Sequence, residues 1–185
     1  MAGLKNQTKQ NIINLTIKLI DDNGYTNISL RKLVLKLGLT TGSFYKHFST
    51  KNELWLEVTR DLSQQIANTA SKNIDLGMTP EQNIVALAVS FLEQYQTHPN
   101  IMDFLLFNPM SQADLNQSSE SFKYLQIIDQ LITEVINKNH MNKDKQTLFI
   151  QLWSFIQGYG ILIKNNSVSL DQSIIQITLN NFLKE

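Results

Sequence analysis

Several features common in proteins are missing from this 185-residue sequence, which has no cysteine, only three prolines and no long apolar run. Without cysteine there is no disulfide framework and no thiolate metal site, and the three scattered histidines lack the ligand spacing of a zinc site. No run of about 18 apolar residues occurs, and the N-terminal residues lack the apolar block of a signal peptide. We therefore predict a cytoplasmic protein that crosses no membrane and needs no metal or cofactor.

The residue groupings of the common enzyme classes are also missing. There is no cysteine nucleophile, no Ser-x-His constellation, no glycine-rich phosphate loop, and no pair of carboxylates at helical spacing in an apolar setting. We therefore predict no catalytic residues. A small all-helical enzyme remains one of the alternatives.

The formal net charge is zero, but the charges are unevenly distributed along the chain. Residues 1–52 contain eight lysines and arginines against two aspartates, a net charge of +6, so that residues 53–185 carry −6. A basic N-terminal segment joined to an acidic remainder directs a polyanion such as DNA to one end of the molecule. A solvated charged surface is the alternative, and it is less favoured because the basic segment coincides with the helical pattern described next.

Two short helices separated by a glycine are predicted between residues 29 and 48. Ser29 is a suitable N-cap, and the apolar residues after it recur at the spacing of one helical face. These residues are Leu30, Leu33, Val34 and Leu37. Gly38 follows the last of them, where helices commonly end in a left-handed residue that glycine adopts without steric cost. The chain is therefore predicted to turn at Gly38.

Thr40 is the predicted N-cap of the second helix, Thr41 to Phe48, whose Phe44 and Phe48 face one core at i and i+4. The outward-facing residues are then mostly small or polar: Thr41, Gly42, Ser43, Tyr45, Lys46 and His47. Short side chains allow close approach to the major groove of DNA, where polar tips meet base edges and phosphates. An ordinary helical corner with solvated polar residues is the alternative, because the same geometry occurs in proteins that bind no DNA.

Helical patterns account for the rest of the chain, so the predicted fold class is all-α. A helix at about 5–22 precedes the pair, and the capping-box pattern of residues 50–53 starts a helix that runs from about 51 to 72. Later helices are predicted at about 80–97, 122–139, 143–164 and 171–183, with a short apolar segment at 101–107 and a mobile polar loop through Glu120. The predicted domains are residues 1–50 and 51–185, connected by the 51–72 helix.

The stretch from Gly38 to Phe48, followed by Lys51, Glu53 and Leu54, resembles the DNA-binding signature of the TetR family of transcriptional regulators. Residues 24–25 and 28–31 match the preceding segment, so the resemblance covers roughly residues 8–55. It implies a three-helix DNA-binding domain followed by a helical regulatory and dimerisation domain. The residues that it assigns to DNA contact are Ser29, Arg31, Thr40, Thr41, Gly42, Ser43, Tyr45, Lys46, His47 and Lys51. It places Tyr45, His47 and Lys51 near phosphates.

The C-terminal half resembles the regulatory body of the same family more weakly. Residues 153–158 are similar to a Trp-x-x-x-His-Gly pattern of some members, with Gln157 in place of the histidine. The last two predicted helices carry more apolar residues than one packing side needs, which together with the resemblance favours a homodimer formed through them. Packing within one chain is the alternative.

A small-molecule effector would bind between the middle helices, whose inner positions are apolar or aromatic with few charges. The candidate ligand-binding residues are Phe91, Tyr95, Met102, Phe104, Phe107, Met110, Gln126, Trp153 and Gln157. For each aromatic residue or methionine taken alone, ordinary core packing is the alternative. The effector is expected to be largely apolar or uncharged.

The leading prediction is a dimeric, ligand-responsive transcriptional regulator that binds a palindromic DNA operator, most often as a repressor in this family. A TetR-like coactivator or adaptor, whose C-terminal domain binds a protein instead of a small molecule, is an alternative. A closed apolar cavity would favour the first, and a filled core with an exposed apolar patch would favour the second.

Overall fold

The computed structural model describes residues 2–109 and 123–184. Within these ranges the chain forms nine α-helices and one turn of 3₁₀ helix, Tyr25–Asn27, and contains no strand, so the predicted all-α class is confirmed. The helices are α1 (Ala2–Asn23), α2 (Leu30–Lys36), α3 (Thr41–Tyr45), α4 (Lys51–Ser71), α5 (Pro80–Thr97), α6 (Pro99–Phe107), α7 (Lys123–Lys138), α8 (Lys145–Lys164) and α9 (Gln172–Leu183).

The described residues form two compact units. The first contains the residues up to Ser63 together with 98–109, and the second contains Gln64–Thr97 together with 123–184. The helices of one unit are therefore not all consecutive in the sequence. Helix α6 follows α5 in the chain but packs with α1 in the first unit. None of the described helices is long and apolar enough to cross a membrane.

In the first unit, α1 packs against α2, α6 and the 3₁₀ turn, and α2 packs against α3. Its fully buried side chains include Ile12, Ile20, Leu33, Phe44, Phe48 and Leu54. Polar contacts join α6 to the end of α1: the Asn100 side chain donates to the Asp21 carbonyl at 2.7 Å, and the His98 ring lies 2.9 Å from the Asp21 carboxylate. The start of α6 is thereby fixed to the helix that supports α2.

In the second unit, α5 is the central helix and contacts α7, α8 and α9. A capping box starts it, since the Thr79 hydroxyl accepts from the Gln82 amide while the Gln82 side chain accepts from the Thr79 amide. The buried side chain of Asn83 binds both the amide and the carbonyl of Asp75, which fixes the preceding loop to α5.

Helix α8 approaches α5 closely at Gly160. A Cβ atom at this position would lie 2.3 Å from the ring of Tyr95, which is buried. The neighbouring Tyr159 hydroxyl donates to the Ser169 carbonyl and accepts from the Asp171 amide, so the connection between α8 and α9 is held by one side chain. A side chain larger than hydrogen at 160 would therefore disturb the core of this unit.

Two predicted segments differ in detail from the structure. The short apolar segment at 101–107 is part of α6, which begins with Pro99 at its first position, a residue well suited to that place because it needs no hydrogen-bonding amide there. The periodicity of this segment is weak because nearly all of its residues are apolar. The predicted mobile loop through Glu120 lies largely outside the described residues.

Candidate nucleic-acid interface

The start of α2 follows directly from its capping residue. Ser29 has extended backbone angles, φ −101° and ψ 139°, and its hydroxyl accepts from the Lys32 amide at 3.2 Å. Leu33 and Val34 are buried, whereas Arg31, Lys32 and Lys36 are exposed. The helix therefore holds one apolar face in the core and presents three cations to solvent.

The turn after α2 is a Schellman motif. Gly38 has a φ of +64°, its amide donates to the Leu35 carbonyl at 3.1 Å, and the Leu39 amide donates to the Val34 carbonyl at 2.9 Å. No atom lies within 4 Å of a Cβ built at Gly38, so the need for glycine comes from the backbone angle and not from lack of space. The turn predicted at this residue is confirmed.

Helix α3 is capped by Thr40, whose hydroxyl accepts from the Ser43 amide at 3.1 Å. Phe44 and Phe48 are fully buried, with ring centres 5.4 Å apart. The predicted helix extends to Phe48, but the observed α3 ends at Tyr45, and residues 46 and 47 form a turn. The Phe48 amide still donates to the Phe44 carbonyl at 3.1 Å, so both rings keep the spacing on which the prediction rested.

The outer surface of α3 carries the residues expected to contact DNA. Thr41, Gly42 and Lys46 are exposed, Tyr45 is 53% exposed, and the half-exposed residues are Ser43 and His47. These side chains offer hydroxyl, ammonium and imidazole groups, and the Tyr45 ring is the one large apolar group among them. A helix of this kind can enter a major groove and donate to base edges and phosphate oxygens.

Lys51, which the resemblance places near a phosphate, makes contacts within the protein. Its Nζ atom donates to the Ile28 carbonyl at 2.8 Å and lies 4.9 Å from the centre of the Trp55 ring. Partial burial lowers the pKa of this ammonium below its usual value. The other basic residues named for DNA contact, Arg31 and Lys46, are exposed.

A polar groove of about 270 Å³ lies beside the start of α2. It is lined by Leu19, Asn23, Asn27, Ile28, Ser29, Lys32 and Lys36. Sequence analysis did not assign Lys32 or Lys36 to DNA contact, although the positive charge of residues 1–52 includes both. Their position next to the capping residue Ser29 adds two cations to the same surface.

Comparison with known proteins agrees with this arrangement. Residues 12–58 match the family model "Bacterial regulatory proteins, tetR family". An uncharacterised HTH-type transcriptional regulator of Haemophilus influenzae is 25% identical over 171 residues, which cover 88% of this chain and 78% of the relative. HTH-type regulators of Staphylococcus aureus are 29% identical over 91 residues, which span 49% of this chain and about half of their length, 48%.

Residues 12–58 therefore belong to the TetR family of regulators. Together with the curated relatives, this match supports a DNA-binding transcriptional regulator, and proteins of this family are not enzymes. Among solved structures, a FadR regulator of Bacillus subtilis in complex with stearoyl-CoA superposes with a TM-score of 0.73 at 17% identity, over 95% of this chain and 97% of that one. BioQ, solved with its double-stranded DNA operator, superposes with a TM-score of 0.66 at 16% identity, over 96% and 98%.

Part of the predicted ligand-binding set of this TetR-family protein lies together in the second unit. The Phe91 ring centre lies 5.3 Å from that of Trp153 and 6.0 Å from that of Tyr95. Gln126 and Gln157 are half-buried residues of the same unit. The structure thus brings the aromatic candidates on α5 and α8 into one cluster.

The remaining described candidates belong to the first unit. Met102 and Phe104 are buried in the first unit, where the Phe104 ring lies 5.3 Å from Trp55 and 5.8 Å from Tyr25. Phe107, at the end of α6, is 46% exposed, and Met110 lies outside the described residues. Aromatic residues at helical spacing look alike in sequence whichever unit they pack in, so the pattern could not separate the two groups.

The aromatic cluster also contains a residue that sequence analysis missed. Tyr124 on α7 stacks on Phe91 at 4.9 Å, and its buried hydroxyl donates to the Leu87 carbonyl at 3.0 Å. Burial raises the pKa of this phenol well above its usual value. The position could have been suspected only from the apolar pattern of its helix.

Beside the cluster is an apolar cavity of about 30 Å³. Its walls are Ile84, Ala88, Tyr124, Ile128, Phe149, Leu152, Trp153, Phe155, Ile156, Ile175 and Leu179. This volume holds one or two water-sized groups, whereas sites for small ligands are typically about 300 Å³ or larger. Gln157 is not among the lining residues.

Proposed function

We propose that this TetR-family regulator binds a palindromic operator as a homodimer, represses transcription, and is released by a small, largely apolar effector. The DNA-binding part of this proposal is supported by the two faces of α3. The outer face exposes Thr41, Gly42, Tyr45 and Lys46, and the inner face is held in the core by Phe44 and Phe48. The exposed cations of α2 lie on the neighbouring helix of the same unit.

Different residues of this surface are assigned different roles. We assign base contacts to Thr41 and Lys46 and phosphate contacts to Tyr45, His47 and Arg31. The capping residues Ser29 and Thr40 fix the starts of α2 and α3 through their own hydrogen bonds. Gly42 and Ser43 allow close approach because their side chains are small.

Selection of binding sequences from a random duplex library tests this assignment. Thr41→Ala and Lys46→Ala should change which sequences are selected, with a loss of about 1–3 kcal/mol on the wild-type sequence for each base contact removed. Arg31→Ala should weaken binding to selected and random duplexes alike. Equal weakening of selected and random DNA by all three variants would refute the division into base and phosphate contacts.

The homodimer proposal rests on exposed apolar residues of α8 and α9. Ile150, Ile161 and Leu162 are 53%, 38% and 46% exposed, and Ile174 and Ile177 are 41% and 58% exposed. Their exposure is unusual for large aliphatic residues on adjacent helices, and a second copy of the same face would cover them. A symmetric dimer would place two α3 helices about 34–36 Å apart, one turn of DNA.

Sedimentation velocity at micromolar concentration tests the dimer. The wild type should sediment as twice the 21.2 kDa chain, and Ile177→Glu should sediment as a monomer because a charge would be buried in the interface. Leu76→Glu is the matched control, since Leu76 is fully exposed outside α8 and α9. A wild type that sediments only as a 21.2 kDa species would exclude the dimer.

The effector proposal rests on the aromatic cluster of the second unit. Its walls are apolar, and the structurally similar FadR was solved with stearoyl-CoA, a ligand with a long apolar chain. Native mass spectrometry of the protein purified from its host should show a bound apolar small molecule that dissociates on unfolding. An adduct without a sizeable apolar chain or ring would contradict this proposal.

The cavity volume of about 30 Å³ favours a second candidate, a TetR-like coactivator or adaptor whose C-terminal helices bind a protein. In that case the described core stays filled, and a partner covers an exposed surface. Hydrogen exchange of α5, α7 and α8 separates the two candidates: an effector should slow exchange in these helices when it is added back, and an adaptor should show no such change with any co-purified small molecule.

A further inference from the structure

Lys51, the first residue of α4, links two helices of the first unit. Its ammonium donates to the carbonyl of Ile28, which immediately precedes the capping residue Ser29 of α2. The same ammonium lies over the ring of Trp55, one turn further along α4. The side chain is therefore placed between the start of α2 and an aromatic ring of α4.

These contacts belong to a larger set in which each residue contacts the next and the last contacts the first. Trp55 is buried and its ring centre lies 5.3 Å from that of Phe104 on α6. Phe104 meets the Tyr25 ring edge-on at 5.8 Å, and the Ile28 amide donates to the Tyr25 carbonyl. Ile28 also provides the carbonyl that Lys51 binds. The start of α2, the 3₁₀ turn, α4 and α6 are therefore joined through one set of contacts.

We infer that Lys51 is a positioning residue for α2, which holds the Ile28–Ser29 segment in place for DNA contact, and that it is not a phosphate ligand. The inference rests on the proposed DNA-binding role of α2 and α3, and it replaces the expectation that Lys51 lies near a phosphate. An ammonium that moved to a phosphate would leave both the Ile28 carbonyl and the Trp55 ring, giving up a hydrogen bond and a cation–π contact.

Salt dependence separates the two roles. Each phosphate that a cation neutralises releases counterions and adds about 0.9 to the slope of log affinity against log salt concentration. A positioning residue changes affinity without changing that slope. Arg31 is the control, because it carries the same charge on the exposed surface of α2 and is assigned a phosphate contact.

The experiment measures binding to a random-sequence duplex of about 30 base pairs by fluorescence anisotropy, between about 50 and 200 mM salt. The variants are Lys51→Met, Lys51→Gln, Lys51→Arg and Arg31→Met, each at a temperature at which circular dichroism shows the folded protein. Lys51→Met should bind about fivefold more weakly at every salt concentration, the effect of one lost hydrogen bond, with an unchanged slope. Lys51→Arg should restore affinity, and Arg31→Met should lower the slope.

A double-mutant cycle tests whether Lys51 acts through α2. Lys51→Met should cost less when Ser29 is already alanine than in the wild type, because both changes affect the start of α2, and should be additive with Lys46→Met. A reduced slope in Lys51→Met or Lys51→Gln would overturn the proposal in favour of a phosphate contact, and folded variants that bind like the wild type would overturn it as well. If the wild type shows no salt-dependent binding to DNA, the proposed DNA-binding role fails instead.

Discussion

The two units of this chain are stabilised in different ways. In the first, α2 and α3 have seven and five residues, too few to be stable alone, and they depend on capping hydroxyls, the Gly38 turn and two buried phenylalanines. In the second, α5 and α8 have 18 and 20 residues and pack around an aromatic cluster. Local chemistry thus defines the starts of α2 and α3 and the turn between them, whereas packing between long helices defines the second unit.

The largest expected effect on the free energy of unfolding comes from the core of the first unit, compared with its outer surface. Phe44→Ala removes a fully buried ring and should lower the free energy of unfolding by about 3–5 kcal/mol. The adjacent Tyr45→Ala should lower it by about 1 kcal/mol, since the ring is half exposed and makes one edge-on contact with Phe44. Urea unfolding at fixed protein concentration measures both, and equal losses would refute the distinction between anchor and surface.

Two glycines of α8 allow the same comparison of buried and exposed positions in the second unit. Gly160→Ala places a methyl group against the buried Tyr95 ring and should cost about 1–3 kcal/mol. Gly158→Ala meets no atom within 4 Å and should stabilise the helix by up to about 1 kcal/mol. Because Gly158 is on α8, sedimentation should accompany the unfolding curves. Similar destabilisation by both variants would contradict the close packing at residue 160.

The turn between α2 and α3 gives a smaller effect. Gly38→Ala forces a Cβ atom into a left-handed conformation and should cost about 1–2 kcal/mol. Gly42→Ala, within α3 and with no close neighbour but the Thr40 hydroxyl at 4.0 Å, should be stabilising by about 0.5–1 kcal/mol. Thermal unfolding of the two variants at equal concentration compares them. A neutral Gly38→Ala would show that the turn tolerates other backbone angles.

The smallest effect is a pH dependence in the second unit. Partial burial raises the pKa of Glu81, but hydrogen bonds from Asn139 and Lys138 outweigh it and lower the value to about 2. A lowered pKa contributes stability that is present above the ordinary value near 4.5 and is lost as the pH falls towards 2. Because Lys138 is half exposed, the contribution should stay below about 1 kcal/mol.

Unfolding free energies of Glu81→Gln and wild type, compared from about pH 6 to 2, measure this contribution. The difference between the two should be largest at pH 6 and should shrink as the pH falls towards 2. Glu134→Gln, which changes an exposed carboxylate of α7, is the control and should give a constant difference. A difference for Glu81→Gln that does not change with pH would contradict the assigned hydrogen bonds.

Sequence reasoning was most accurate where structure depends on local chemistry. The caps at Ser29 and Thr40 and the turn at Gly38 are present as predicted, since a capping hydroxyl or a left-handed glycine acts within three or four residues of itself. At the start of α4, the Thr50 hydroxyl accepts from the Glu53 amide, as a capping box requires. The Glu53 carboxylate accepts from the Ser49 amide, one residue earlier than the usual partner.

Contacts between distant residues could not be predicted in this way. The hydrogen bond from Lys51 to the Ile28 carbonyl joins residues 23 positions apart, and the position of Phe104 against Trp55 depends on α6 packing with the first unit. Nothing in the pattern of apolar residues distinguishes a phenylalanine of α6 from one of α5. The candidate ligand-binding set was therefore divided between the two units.

The measurement that tests the central claim most directly is a hydroxyl-radical footprint of the wild type on a duplex that it selects from a random library. Two copies of the α2–α3 surface should protect two segments of the backbone, related by two-fold symmetry and about one helical turn apart. The Ile177→Glu variant should lose this paired protection at the same protein concentration. A single protected segment, or uniform protection without sequence preference, would contradict the account of a dimer that reads a palindromic operator.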